Sequence, residues 1–184
     1  MAKILNSYWE LVEPIFSDIN TEGAASYFAS IVAVPRPVLL LYAAHFCIAE
    51  VFNGGLLQFF WNSTGVIAPE AIEGLVAVGM PRLAAVLSHA TMLLGSPYPR
   101  DRDDRWDALL VASGKSASEL ESIFEKAVNL YLAFQEATLP LSLDELNKEA
   151  WELARTENDG FQDAATRYAK RFLASEERMS SDEC

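Results

Sequence analysis

The sequence predicts an all-α protein, a compact domain of eight to ten mostly short helices around one buried central helix. Apolar residues recur three and four positions apart through most of the chain, which is the period of an amphipathic helix. Glycine and proline punctuate these segments at helix starts and ends, and the alternation typical of strands is nearly absent. Hydrophobic residues make up 51% of the 184 residues, enough to form a core.

Proline positions define the first helical segments. Residues 4–16 have the apolar spacing of an amphipathic helix, which Pro14 kinks or shortens. Pro35 and Pro37 then begin a long helix, because proline is tolerated in the first turn, where its missing N–H is not needed. Over residues 38–52 this helix is apolar nearly all round, which indicates that it is the buried central helix.

The later helices are separated by turns rich in glycine and proline. The central helix is predicted to end at Asn53-Gly54-Gly55, where a glycine can take the left-handed C-cap conformation. The further segments with helical spacing are residues 56–61, 69–78, 81–94, 118–137, 142–156 and 161 onward. We expect one domain over residues 1–175 and a frayed polar tail over 176–184.

The chain is strongly acidic. It has 26 Asp and Glu against 14 Lys and Arg, a formal net charge of −12. Residues 1–91 contain 7 acidic and 3 basic residues, whereas residues 92–184 contain 19 and 11, so the acidity is concentrated in the C-terminal half. Such a field repels nucleic acid and anionic membrane surfaces and attracts basic proteins. We therefore expect a basic protein partner and no direct binding to nucleic acid or membrane.

Cysteine usage and the N-terminal segment indicate a cytoplasmic protein. The two cysteines are Cys47, in an apolar run, and Cys184, the last residue, so a disulfide framework is not expected. Residues 1–13 have neither a long apolar stretch nor a small-residue cleavage site. The longest apolar run, residues 37–49, is too short to span a bilayer.

One segment combines polar and apolar residues in an unusual way. At the predicted break between two helices, four polar residues stand among the most apolar residues of the chain: Glu50, Asn53, Gln58 and Asn62. The end of one helix and the start of the next leave carbonyls and N–H groups unpaired, and these side chains can bind them. In particular, the Glu50 carboxylate can accept from N–H groups at the helix start. The alternative is a ligand-binding or catalytic site at this junction.

The same segment carries a resemblance. The pattern Glu-x-x-Asn-Gly-Gly-x-x-Gln-Phe-Phe-x-Asn, which includes Gly54 and Gly55, is similar to the all-helical C-terminal domain of the bacterial DNA-mimic protein family. The similarity is specific over residues 38–95. It implies an all-helical fold and, for the member that gives the family its name, an acidic dimer that occupies the DNA-binding surface of a transcription factor. The family supplies no catalytic residues to transfer.

Rows of carboxylates in the C-terminal half could form a mimic's surface. Glu145, Glu149 and Glu152 are three and four residues apart, so they lie on one side of a helix about 5–6 Å apart at Cβ. Lys148 and Arg155 interrupt this row, and an ordinary solvated helix face has the same pattern. The candidate partner-binding residues are Glu145, Glu149, Glu152, Glu157, Asp159, Asp163, Glu119, Glu121 and Glu125.

Four aspartates near one loop suggest a metal site at first: Asp101, Asp103, Asp104 and Asp107. The loop over residues 96–104 lacks the glycine that a calcium loop needs at its tight turn. Three arginines alternate with the aspartates: Arg100, Arg102 and Arg105. We therefore predict a self-neutralised loop and no metal.

No motif indicates an enzyme or a cofactor. His45 and His89 belong to no metal-binding pattern, and no phosphate-binding glycine loop or nucleophile motif occurs. Cys47 has apolar neighbours that disfavour the thiolate. The sequence therefore favours a non-catalytic acidic interaction protein, possible as a homodimer, whose partner is a basic, DNA-binding transcription regulator. The alternatives are an immunity or antitoxin-like protein that neutralises a basic effector, and a small-molecule site at the Glu50 junction.

Overall fold

The fold is entirely helical in the part of the chain that the structure describes. The structure is a computed structural model, and it describes residues 5–113, 116, 118 and 141–182. These residues form eight α-helices and no strand, which confirms the predicted fold class. The predicted helix over residues 118–137 lies outside the described residues, except for Ser118.

The helices begin and end close to the prolines and glycines that predicted them. In chain order they are α1 (Trp9–Val12), α2 (Ala24–Ser30), α3 (Arg36–Trp61), α4 (Ala68–Ala77), α5 (Pro81–Met92), α6 (Arg102–Ser113), α7 (Leu141–Thr156) and α8 (Phe161–Asp182). Short 3-10 turns cover Glu13–Ile15, Ser63–Ile67 and Glu157–Asp159. Pro37, Pro69 and Pro81 each lie in a first helical turn, as expected for a residue without an N–H.

Helix α3 is the buried centre of the fold. It packs most extensively against α4 and also contacts α1, α6, α7 and α8. Most of its residues between Val38 and Phe60 are buried. At 26 residues α3 is long and apolar enough to cross a membrane, but 61% of its most apolar window is buried inside the protein. That burial is also what the core helix of a globular domain shows.

The predicted break in the central helix is present as a kink. Gly54 (φ −153°, ψ 15°) and Gly55 (φ 81°, ψ −174°) leave the helical conformation, and the helix resumes from Leu56 to Trp61. The φ of Gly55 lies in the left-handed region that glycine adopts without steric cost. The kink therefore divides α3 into two helical segments, as the Asn-Gly-Gly sequence predicted.

The first helix is reduced to α1 and a 3-10 turn that contains Pro14, so it is shortened as predicted. Two other boundaries differ from the predictions. Helix α6 begins at Arg102, inside the predicted loop over residues 96–104, with Asp103 and Asp104 in the first turn, where carboxylates favour the helix dipole. Helix α8 continues to Asp182 and so includes most of the segment expected to be frayed.

Gly74 sets the distance between α3 and α4. A Cβ atom at this position would lie inside contact distance of the Leu40 carbonyl oxygen and 3.0 Å from the Leu40 carbonyl carbon. Both neighbours are backbone atoms of α3, which cannot move aside without displacing the helix. The two helices therefore approach each other at a point where only glycine fits.

We expect the Gly74→Ala substitution to lower the free energy of unfolding by about 1–3 kcal/mol, the usual cost of overpacking a core. The gain in helix propensity from alanine, about 1 kcal/mol, is too small to offset a clash with the backbone. Urea denaturation followed by circular dichroism measures the difference. A stability equal to or above that of the wild type would show that the contact between α3 and α4 does not require glycine at this position.

Candidate functional site

The Glu50 carboxylate is the centre of a polar cluster beside the kink. It accepts hydrogen bonds from the side-chain amides of Gln58 and Asn62, the latter at 3.1 Å from both carboxylate oxygens. The Thr64 hydroxyl donates to Glu50 Oε1 at 2.7 Å. Three of the four polar residues singled out from the sequence therefore meet. Thr64 was not predicted, because a threonine in a turn gives no signal of its own.

Two expectations about this junction were wrong: that backbone N–H groups donate to Glu50, and that Asn53 belongs to the polar cluster. The donors to Glu50 are side chains, whereas the sequence predicted backbone N–H groups at a helix start. The Leu56 N–H at the kink instead donates to Asn147 Oδ1 of α7 at 2.9 Å, across 91 positions of the chain. Asn53 is exposed and lies outside the cluster. The hollow lined by Tyr8 and His45 and the shallow one lined by Tyr168 and Phe172 include none of the four predicted residues.

A buried arginine binds the backbone carbonyls at the end of α3. Arg105 has no exposed surface, and its guanidinium donates to the backbone carbonyls of Phe60 and Asn62, each at 2.8 Å, and of Arg100. The last carbonyls of a helix lack intrahelical partners and carry the negative end of its dipole, so they bind a cation well. Burial lowers the pKa of the Arg105 guanidinium, and these carbonyls stabilise the charged form.

The prediction of a self-neutralised loop was therefore wrong. Arg100 forms a two-point ion pair with the buried Glu70, at 2.8 and 2.9 Å, and Arg102 donates to the Trp61 carbonyl at 3.1 Å. With Arg105 also turned inward, none of the three arginines forms an ion pair with a loop aspartate among the described residues. The aspartates that remain exposed on α6 are Asp103, Asp104 and Asp107.

Helix α7 presents the predicted glutamate row to solvent. Glu145, Glu149 and Glu152 are all exposed. At about 100° per residue they fall within an arc of about 60°. The opposite side of the helix is buried against α3 and α5. Its buried residues are Leu143, Leu146, Ala150, Leu153 and Ala154.

The two cations that interrupt this row are engaged elsewhere. Lys148 Nζ lies 3.1 Å from the carboxylate of Asp144, one turn before it. The Arg155 guanidinium lies over the indole ring of Trp151, 4.3 Å from its centroid. Neither contact involves a glutamate of the row, and no ion pair joins the row to another described residue.

Other predicted carboxylates have structural roles or lie beyond the described residues. Glu157 accepts from the N–H groups of Arg82 and Leu83, each at 2.9 Å, and so caps the start of α5. This cap is a role that the sequence did not predict for Glu157. Asp159 pairs with Arg167 at 3.2 Å, and Asp163 is exposed in the first turn of α8. The predicted patch of Glu119, Glu121 and Glu125 lies outside the described residues.

The sequence model of the DMP19-like protein family matches residues 32–179, which include the polar junction, the buried arginine and the glutamate row. The chain belongs to the DMP19-like protein family. This is a non-enzymatic family of DNA mimics. The match extends well beyond residues 38–95, where the resemblance was specific, and reaches through α7 and most of α8. No curated protein and no solved structure matches the chain.

Two titratable groups that the sequence considered for other chemistry are withdrawn from solvent in this DMP19-like chain, Cys47 fully and His45 in part. Burial raises the pKa of the Cys47 thiol well above its usual range, so the thiol stays protonated at neutral pH. Burial lowers the pKa of His45, whose Nδ1 is 2.7 Å from the Tyr8 hydroxyl oxygen. Among the described residues, no group of three His, Cys, Asp or Glu side chains is placed to hold a metal ion.

We expect the Glu50→Gln substitution to lower the free energy of unfolding by about 1–3 kcal/mol. Glutamine offers one acceptor oxygen and turns an amide NH₂ group toward the donors of Gln58, Asn62 and Thr64. The matched control is Glu73→Gln, which removes only an exposed ion pair with Arg36 and should cost at most about 1 kcal/mol. Chemical denaturation of both variants is the measurement, and equal stabilities would contradict a structural role for the Glu50 carboxylate.

The Arg105→Met substitution should cost more, about 3 kcal/mol or above, because it leaves three carbonyls in or near the core without their donor. Its control is Arg102→Met on the same helix, which loses one hydrogen bond and a contact with the Trp106 ring and should cost about 1–2 kcal/mol. Thermal and urea unfolding of the pair test this order. If Arg102→Met were the more destabilising variant, Arg105 would not be the main donor that stabilises the carbonyls at the end of α3.

Proposed function

We propose that this protein is a non-catalytic DNA mimic that occupies the DNA-binding surface of a basic protein, a transcription regulator, through the exposed face of α7. The observation that carries the proposal is the row of Glu145, Glu149 and Glu152, exposed on one side of the helix with the nearby cations engaged elsewhere. Membership of the DMP19-like family supports this function, and the net charge of −12 supplies long-range attraction for a basic partner.

The spacing of the row suits a surface that binds DNA phosphates. A helix rises about 1.5 Å per residue, so neighbouring carboxylates of the row are about 4.5 and 6 Å apart along the axis. A DNA strand carries one charge per about 3.4 Å of axis, which is the same scale. Lys and Arg side chains are long and flexible, so a partner can adjust to the difference.

The fold also holds the helix that carries the glutamate row in a fixed position. Asn147 binds the kink of α3 through the Leu56 N–H, and Glu157, directly after α7, caps α5. The helix is therefore anchored near its middle and at its end. A pre-ordered charged surface loses less conformational entropy on binding than a flexible acidic tail does.

Affinity capture from a lysate of the native host, at low and moderate salt, tests this proposal. We expect wild type to recover a basic DNA-binding protein, and a variant with Glu145, Glu149 and Glu152 changed to Gln to recover at least tenfold less. The recovery should fall with salt, since opposite charges at an exposed surface are screened. In a gel-shift assay with the purified partner, wild type should then displace DNA and the triple variant should not.

The matched control changes Asp103, Asp104 and Asp107 on α6 to Asn. It removes three exposed carboxylates from one helix, as the first variant does, so the two proteins have the same net charge. Equal loss in both variants would mean that overall charge, rather than the α7 face, drives the capture. A captured protein that does not bind DNA would favour the immunity or antitoxin-like alternative.

A further inference from the structure

A half-open hollow of about 430 Å³ lies between α3, the end of α7 and the start of α8. Its volume is within the range of small-molecule sites, about 300–1,000 Å³. The apolar side chains that line it come from all three helices: Ile48, Ala49, Phe52, Ala154 and Phe161. It is separate from the α7 glutamate row and from the Glu50 cluster, whose residues do not line it.

One wall of the hollow carries a neutral polar pair. The Tyr8 hydroxyl oxygen and His45 Nδ1 are 2.7 Å apart, and the hydrogen bond between them leaves one imidazole nitrogen for another partner. Burial lowers the pKa of His45 and raises the pKa of Tyr8 to about 12, so both are uncharged at neutral pH. No described residue bonds the second nitrogen of His45, which can therefore bond a polar group in the hollow.

The rim of the hollow carries one cation and one carboxylate, Arg155 and Asp159. Asp159 is paired with Arg167 at 3.2 Å, which reduces the repulsion between its carboxylate and an anion in the hollow. Arg155 lies over the face of Trp151, a contact that positions the guanidinium without neutralising its charge. Arg155 is thus the charged residue of the lining that has no described counter-ion. Its planar guanidinium can donate two parallel hydrogen bonds to a carboxylate.

We propose that this hollow is a binding site for a small organic anion with an aromatic or branched apolar body, typically a carboxylate. The body contacts the apolar wall formed by Ile48, Phe52 and Phe161. The carboxylate lies at the rim on Arg155, and the Tyr8–His45 pair bonds a further polar group. This site is independent of the proposed mimicry, because it requires no protein partner.

The test uses the purified protein with 2-naphthoate as the anionic probe and 2-naphthamide as its neutral counterpart of nearly equal shape. We expect saturable binding of 2-naphthoate by calorimetry with a Kd below about 1 mM, and at least tenfold weaker binding of 2-naphthamide. Two-dimensional NMR should show the largest shift changes at the backbone amides of Ile48, Ala154 and Phe161.

Two surface variants and their controls locate the site. Ala49→Trp fills the mouth of the hollow and should reduce 2-naphthoate affinity at least tenfold, whereas Ala85→Trp, at an exposed position of α5, should not. Arg155→Gln should weaken 2-naphthoate tenfold and leave 2-naphthamide unchanged, whereas Arg82→Gln should change neither. Each replaced side chain is exposed, so circular dichroism should show an unchanged fold.

Three results would overturn the proposal. The first is no saturable binding of 2-naphthoate at millimolar concentration. The second is wild-type affinity in Ala49→Trp, which would place the binding elsewhere. The third is an equal loss for 2-naphthoate and 2-naphthamide in Arg155→Gln, which would show that the guanidinium does not recognise the negative charge. Capture of a basic protein in the host lysate bears on none of these results, so the two proposals fail separately.

Discussion

The Arg105 guanidinium is the interaction on which the rest of the structure depends. A long apolar helix that ends inside a protein leaves carbonyls that water cannot reach, and these need donors. Arg105 donates hydrogen bonds to the carbonyls of Phe60 and Asn62. It also donates to the Arg100 carbonyl and so connects the segment before α6 to the end of α3. Gly65 is required beside it, because a Cβ there would lie 2.6 Å from Arg105 Nε. The end of α3, the 3-10 turn and α6 are thereby fixed together.

The inward orientation of the arginines also determines the surface. Arg100 and Arg105 bind Glu70 and backbone carbonyls, so cations that the sequence places among aspartates form no ion pair with them in the described part of the chain. On α7, Lys148 binds Asp144, whereas Arg155 covers the Trp151 ring and keeps its charge. The exposed face of α6 is consequently more acidic than the order of charges along the chain suggests. The contacts that hold these arginines inside the fold thus leave the aspartates of α6 without an ion-pair partner among the described residues.

Local signals predicted the helices, whereas long-range contacts decided the roles of the polar side chains. Proline in a first turn, the Gly54–Gly55 break and the apolar run after Pro37 depend on neighbouring residues, so they can be recognised in a sequence. Glu50, Gln58 and Asn62 were found because they share one short segment. Asn147 and Glu157 each bind an element more than 70 positions away, and nothing near them in the chain indicates that target.

Glu157 shows why an acidic row in a sequence cannot be assigned to a surface without the fold. It continues the row of Glu145, Glu149 and Glu152 in the sequence, yet its carboxylate caps the N-terminus of α5 while theirs remain in solvent. A cap and a mimic's carboxylate use the same chemistry, since both bind N–H donors or cations. What separates them is whether the fold supplies the donor. The carboxylates of Glu145, Glu149 and Glu152 have no ion-pair partner among the described residues, and in the proposed function a basic protein surface is that partner.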